Sequence, residues 1–204
     1  LLVLDNCEHM TDAIASCETA WKLKPDFAPA YLIQGDCLRD MGRPEDALEK
    51  YGQALAAQRE FLPALRNRAD LNMALKNFEA ALEDFNRLVR LLPEDSAIHN
   101  GRGMVLGELQ RYEEAVRSLD KALALDPRNM GALHNRGVAL WNLERFEEAI
   151  ASYDQALAIA PNPVTLSNRA NTLQELLRLD EAMAAHDRAV AMTPQTPRIL
   201  EGPA

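Results

Sequence analysis

The chain has 204 residues and a formal net charge of −9 at pH 7. This acidic balance disfavours nucleic acids and anionic membranes as partners, because both need basic groups to replace their counterions. No apolar stretch approaches the ~20 residues of a membrane-spanning helix, and no signal peptide is recognisable. We therefore expect a cytoplasmic chain whose partner is neutral or basic.

A pattern of small and large side chains recurs along the chain with a period of about thirty-four residues, most clearly over 96–129. When residue 96 is position one, position twenty is alanine in six successive copies: Ala13, Ala47, Ala81, Ala115, Ala149 and Ala182. Position eight is glycine or alanine in the complete copies, and position thirty-two is proline in five of the six copies. Each copy predicts two amphipathic helices whose small residues allow the backbones to approach to ~8–10 Å. The proline then ends the second helix.

This register divides the chain into a partial unit at 1–27, five complete units and a tail. The complete units are 28–61, 62–95, 96–129, 130–162 and 163–196, and residues 197–204 are either a tail or the remnant of a further helix. The predicted helix pairs are 28–41 and 44–57, 62–75 and 78–91, 96–109 and 112–125, 130–143 and 146–159, and 163–176 and 179–192.

The two ends of the chain have no clear capping helix. The opening LLVLDN also resembles a Walker B strand, but the sequence has no GxxxxGK[ST] loop to hold phosphate, so we interpret 1–27 as the stub of a first repeat. Solenoids normally end in a helix with a polar outer face, whereas Leu1–Leu4 and Ile199–Leu200 are apolar. Self-association through these ends is expected.

The sequence contains little that indicates catalysis. The cysteines Cys7, Cys17 and Cys37 fall on apolar or semi-buried unit positions and form no CxxC pair. The histidines are scattered over different unit positions without an HExxH motif: His9, His99, His134 and His186. Neither a GxSxG motif nor a phosphate-binding loop is present. We expect no enzyme, no cofactor and no metal site.

The small, aromatic and proline positions of the unit resemble those of the tetratricopeptide repeat (TPR), and the resemblance covers about residues 1–196. It implies an all-α fold, a right-handed α-solenoid or superhelix of antiparallel helix hairpins. It also implies a non-catalytic scaffold that binds a protein or an extended peptide in a concave groove. Positions two, five, six, nine, twelve and thirteen of each first helix would face that groove.

The candidate ligand-binding residues follow from this placement: Asn67, Asp70, Asn100, His134, Asn135, Trp141, Asn168 and Asn171. Asparagines at position six, one unit apart, would offer donors and acceptors to the backbone of an extended peptide. Ile33 and Gly101 interrupt this series. The asparagines are therefore either a peptide-binding ladder or solvated helix surface, and Trp141 is either an anchor for a partner or packs against the next unit.

Charged residues of the first helices refine the expected partner. Arginines recur at position seven and are expected to bridge neighbouring helices: Arg68, Arg102, Arg136 and Arg169. The groove has no lysine, so the carboxylate clamp of chaperone-binding TPR domains is not matched, and Asp36 and Asp70 favour a basic segment. The asparagine series is similar to the groove of protein O-GlcNAc transferases. The alternative function is therefore the recognition arm of a larger glycosyltransferase.

Overall fold

The computed structural model describes residues 27–192, and every regular element in that range is an α-helix. The described helices form five consecutive pairs: α1 Ala28–Asp40 and α2 Pro44–Ala57, α3 Leu62–Ala74 and α4 Phe78–Leu91, α5 Ser96–Glu108 and α6 Tyr112–Leu125, α7 Met130–Asn142 and α8 Phe146–Ile159, α9 Pro163–Glu175 and α10 Leu179–Met192. The predicted all-α fold of helix hairpins is confirmed. No helix within 27–192 is long and apolar enough to cross a membrane.

The predicted helix bounds agree closely with the structure. All five second helices have the predicted limits, and each first helix ends one residue earlier than predicted. The reason is local, since Leu143, for example, has φ −88° and ψ 6° and caps α7 instead of continuing it. Several expectations concern segments that lie outside the described residues. They are those for the partial unit 1–27 with its Walker B-like segment, for Cys7, Cys17 and His9, and for the tail 197–204.

The chain divides into two compact units, Leu1–Leu109 and Gln110–Ala204. Within the described part of the first unit, each helix from α1 to α5 packs against the next in sequence. In the second unit the same holds from α6 to α10, with a further contact between α7 and α9. Each helix thus buries its apolar face against its neighbours, as expected for stacked repeats.

A residue with positive φ ends every first helix and starts the turn to the second. In the first pair it is Gly42, with φ 73°, and at the equivalent position the other pairs have non-glycine residues with φ of 58–61°: Lys76, Gln110, Glu144 and Leu177. In the fourth pair the Arg145 amide donates to the Leu140 carbonyl at 2.9 Å. This is the hydrogen bond of a Schellman cap, which satisfies a carbonyl at the helix end.

Within each compact unit, small residues lie where the two helices of a hairpin cross. The alanines at position twenty of the described repeats are all at most 1% exposed, as the repeat register predicts. The crossing also depends on glycine where a tyrosine faces it. A Cβ on Gly137 would lie 2.3 Å from the Tyr153 ring, and one on Gly35 would lie 2.4 Å from the Tyr51 ring. These rings occupy the space of the missing side chain, so the helix backbones approach more closely than an alanine would allow.

We expect Gly137→Ala to lower the free energy of unfolding by ~1–3 kcal/mol, because the new methyl group overlaps a buried ring. Urea denaturation monitored by circular dichroism measures this change. The matched control is Gly107→Ala near the end of α5, where a Cβ would meet no atom within 4 Å. That variant should be neutral or slightly more stable, because alanine has the higher helix propensity. Equal losses in both variants would contradict the proposed role of the Tyr153 contact.

Candidate functional site

The arginines at position seven bridge neighbouring helices, as predicted, and three of the four connect successive repeats. Arg102 Nε donates to Asn86 Oδ1 at 2.7 Å. In the second unit, Arg136 Nε donates to Asp120 Oδ1 and Arg169 Nε to Asp154 Oδ1, both at 2.6 Å. In each case the acceptor belongs to the second helix of the preceding repeat. These guanidinium groups therefore hold helices together, and their hydrogen bonds are directed to the protein itself.

Arg68 departs from this arrangement because the residue at the acceptor position of the preceding repeat is Gly52. Its guanidinium instead donates two hydrogen bonds of 2.7 Å to the Asp84 carboxylate, on α4 of its own hairpin. Asp84 is 1% exposed, and Arg87 lies 3.9 Å from the same carboxylate. The hydrogen bond to Asp84 raises the pKa of Arg68 above its ordinary value. A buried charge is thus compensated by a bidentate pair.

Removing the arginine of a buried ion pair should lower the free energy of unfolding more than removing the arginine of an exposed pair. Arg68→Ala leaves the Asp84 carboxylate buried with only the distant Arg87, so we expect a loss of about 3 kcal/mol in the free energy of unfolding. Arg169→Ala breaks a bridge to the half-exposed Asp154 and should cost less than ~1 kcal/mol. Chemical denaturation of both variants measures the difference. A loss in Arg68→Ala as small as that in Arg169→Ala would contradict this assignment.

In the first unit, two predicted groove residues bind each other. Asp36 Oδ1 accepts one hydrogen bond from the Tyr51 hydroxyl and one from Asn67 Nδ2, both at 2.7 Å. The Arg39 guanidinium lies 3.5 Å from the same carboxylate oxygen. Burial, and then the hydrogen bond to Asp36, raise the pKa of Tyr51. The donor of Asn67 is therefore engaged within the protein.

The other candidates of the first unit, Asp70 and Asn100, line a shallow cavity of about 210 Å³ together with Arg66 and Gly101. Burial raises the pKa of Asp70, and the nearby Arg66 opposes that shift. Gly101 interrupts the asparagine series for a packing reason, because a Cβ there would lie 2.5 Å from the Phe85 ring. An asparagine at this position would displace that buried ring.

In the second unit, three predicted residues meet in one cavity. Trp141 of α7 and Asn168 and Asn171 of α9 line a concavity of about 220 Å³. Its other lining residues are Val138, Asn142 and Tyr153. Trp141 is 39% exposed, and Asn171 is exposed. An indole surface and amide groups are thus presented side by side.

His134 and Asn135 do not line this cavity. His134 Nδ1 lies 2.9 Å from the Thr165 hydroxyl oxygen, and its ring is tilted against that of Tyr153 with centroids 5.9 Å apart. Burial lowers the pKa of His134, so the neutral ring is favoured. Asn135 is half-buried on α7. The structure thus gives His134 a packing role behind the cavity.

Sequence reasoning missed Tyr153 as a lining residue, although its pairing with Gly137 was visible as a large residue opposite a small one. The remaining histidine with a clear contact is His99, whose Nε2 lies 2.9 Å from the Pro93 carbonyl oxygen. Across residues 27–192, no cluster of three or more His, Cys, Asp or Glu side chains is placed to hold a metal ion.

A family model described as tetratricopeptide repeat matches residues 34–96 and 100–162, more than half of the chain. No curated protein matches the sequence of this chain. Among similar solved structures, TTC0263, a thermophilic TPR protein in Thermus thermophilus, is 27% identical with a TM-score of 0.65, covering 83% of this chain and 93% of that one. A tetratricopeptide repeat protein from Parabacteroides merdae is 23% identical with a TM-score of 0.78, covering 91% and 74%. YrrB, a TPR protein with an unusual peptide-binding site, is 20% identical with a TM-score of 0.73, covering 88% and 93%.

Proposed function

Because this chain belongs to the tetratricopeptide repeat family, we propose that it is a non-catalytic scaffold that binds an extended segment of a partner protein along its first helices. The observation that carries this proposal is the cavity where Trp141, Asn168 and Asn171 meet. Its volume of about 220 Å³ is below the roughly 300–1,000 Å³ of pockets that enclose small molecules. A cavity of this size is suited to one side chain of a polypeptide.

The chemistry of the lining residues supports a peptide as the ligand. The Trp141 indole offers a large apolar surface at little entropic cost, which is typical of residues that anchor a partner. The amides of Asn168 and Asn171 each offer donors and an acceptor, the same groups that an extended backbone presents. YrrB, which has the same fold, is described as having a peptide-binding site.

The charge distribution bears on which segment would bind. The residues that line the cavity of the second unit carry no charge. In the first unit the Asp36 carboxylate already accepts hydrogen bonds from Tyr51 and Asn67, so it is a weaker attraction for a basic partner than its sequence position suggests. Asp70 and the net charge of −9 still favour a neutral or basic segment over an acidic one.

The alternative function, a recognition arm of a glycosyltransferase, is not favoured. Its basis was the interrupted asparagine series, which is similar to the groove of O-GlcNAc transferases, and that likeness is not confirmed. Asn67 is engaged by Asp36, and the Phe85 ring excludes an asparagine at Gly101. The description of the matched family and the names of the structures given above mention tetratricopeptide repeats and no glycosyltransferase.

We expect short extended peptides to bind with micromolar or weaker affinity, because each neutral hydrogen bond contributes only ~0.5–1.5 kcal/mol. Affinity should rise with peptide length as more groups engage, and it should depend weakly on salt. The double variant Asn168→Ala/Asn171→Ala should bind about tenfold more weakly. Isothermal titration calorimetry with capped peptides of increasing length measures these changes.

The matched control is Gln155→Ala, which removes an exposed amide from the second helix α8. This variant should bind like the wild type. Unchanged binding by the asparagine double variant, together with a loss in Gln155→Ala, would place the partner on the second helices and contradict the proposal.

A second proposal, self-association, is supported by the last described helix. Met183 of α10 is 64% exposed, whereas its equivalent Ile150 in α8 is 6% exposed because α9 packs against α8. Leu179, the equivalent of the half-buried Phe146, is also exposed. The face of α10 therefore matches one that a first helix covers elsewhere in the chain. We propose that the first helix of a second copy covers it.

Multi-angle light scattering over a range of protein concentrations tests this proposal. The wild type should form dimers or larger species as its concentration rises, and Met183→Glu should shift the distribution to monomer, because a charge on this face opposes burial. Gln155→Glu, a charge added to an exposed position of α8, should leave the distribution unchanged. A wild type that stays monomeric at high concentration would contradict the proposal.

A further inference from the structure

Two repeats carry a buried tyrosine at the same position, and the groups around the two hydroxyls differ. Tyr51 of α2 and Tyr153 of α8 are both at most 1% exposed, and each ring lies over a glycine. The Tyr51 hydroxyl donates to Asp36 Oδ1 at 2.7 Å, and Asn67 Nδ2 donates to the same oxygen. In the first unit, the Asp36 carboxylate therefore accepts the hydrogen bonds of both Tyr51 and Asn67.

The second unit keeps the donors and replaces the acceptor. Asn168 is the equivalent of Asn67, while Val138 stands where the first unit has Asp36, and Trp141 stands where it has Arg39. Within residues 27–192, neither the Tyr153 hydroxyl nor the Asn168 side-chain amide makes a hydrogen bond. All fully buried polar side-chain atoms described have partners, so the Tyr153 oxygen must reach the cavity that it lines.

These differences select the chemistry of a ligand. In the first unit, the Arg39 guanidinium lies 3.5 Å from the Asp36 carboxylate and compensates its charge. The cavity of the second unit is lined by no charged group. A carboxylate bound there would lose hydration without gaining a cation, which is costly. A neutral acceptor oxygen avoids that cost.

We infer that the Trp141 cavity recognises one residue of an extended peptide, whose main-chain carbonyl oxygen accepts hydrogen bonds from the Tyr153 hydroxyl and the Asn168 amide. An uncharged, apolar side chain next to that carbonyl packs against Trp141 and Val138. This inference rests on the proposed function and deepens it, since it names the atoms that bind and the class of side chain that the site prefers.

The test uses capped peptides of one length that differ only in a central leucine, aspartate or lysine. Binding is followed by the fluorescence of Trp141 in a Trp21→Phe background. The leucine peptide should bind most tightly and should change the Trp141 emission. Tyr153→Phe should weaken its binding about three- to tenfold, because one neutral hydrogen bond is lost.

A second variant supplies the acceptor from within the protein. Val138→Asp places a carboxylate at the position that Asp36 has in the first unit, where it competes for Tyr153 and Asn168. We expect binding of the leucine peptide to fall below that of Tyr153→Phe. The matched stability control is a pair: Tyr153→Phe should melt like the wild type, whereas Tyr51→Phe loses its hydrogen bond to Asp36 and should melt lower.

The inference is overturned if Tyr153→Phe, with wild-type melting, binds the leucine peptide as tightly as the wild type. It is also overturned if the aspartate peptide binds better than the leucine peptide. The wider proposal fails separately, because it predicts a loss of binding in Asn168→Ala/Asn171→Ala whatever the role of Tyr153. A loss in that double variant beside unchanged binding by Tyr153→Phe would retain the scaffold and reject this site.

Discussion

In the first and fourth hairpins, the close contact between a tyrosine ring on the second helix and a glycine on the first sets how closely the two helices approach. The Tyr153 ring fills the space where Gly137 would carry a side chain, with ring atoms as near as 2.3 Å to an ideal Cβ. This contact brings the two helices of the hairpin together and buries the ring almost completely. The same contact positions the Tyr153 side chain so that it lines a cavity together with Trp141. Core packing thus positions a polar group on the surface proposed to bind a partner.

Polar side chains of the first helices divide between two tasks. The arginines at position seven bond within the protein, three of them to the preceding repeat, and so hold the stack together. Positions six, nine and twelve differ between the units. In the first unit, Asn67 donates a hydrogen bond to Asp36. In the second unit, Val138 replaces that aspartate, and Asn168 and Trp141 line a cavity. The same repeat therefore supports one surface whose polar side chains bond to each other and another whose polar side chains line a cavity.

Helix positions were predictable from the sequence because their causes are local and recur with the repeat. Alanine at position twenty marks each hairpin crossing, and the turn residues limit each helix, so the second helices were predicted to the residue. The role of Gly101 was not predictable. It depends on the Phe85 ring reaching across to the following helix, which a pattern of residue types along one helix does not reveal.

By itself, the sequence determined the repeat, the helix pairs and the family resemblance, because each follows from spacing along the chain. It also marked Trp141, Asn168 and Asn171 as residues of one surface. Only the tertiary structure decided which polar groups are already satisfied. Hydrogen bonds such as that from Asn67 to Asp36 join side chains thirty-one residues apart, and they depend on distances and angles that helix packing sets.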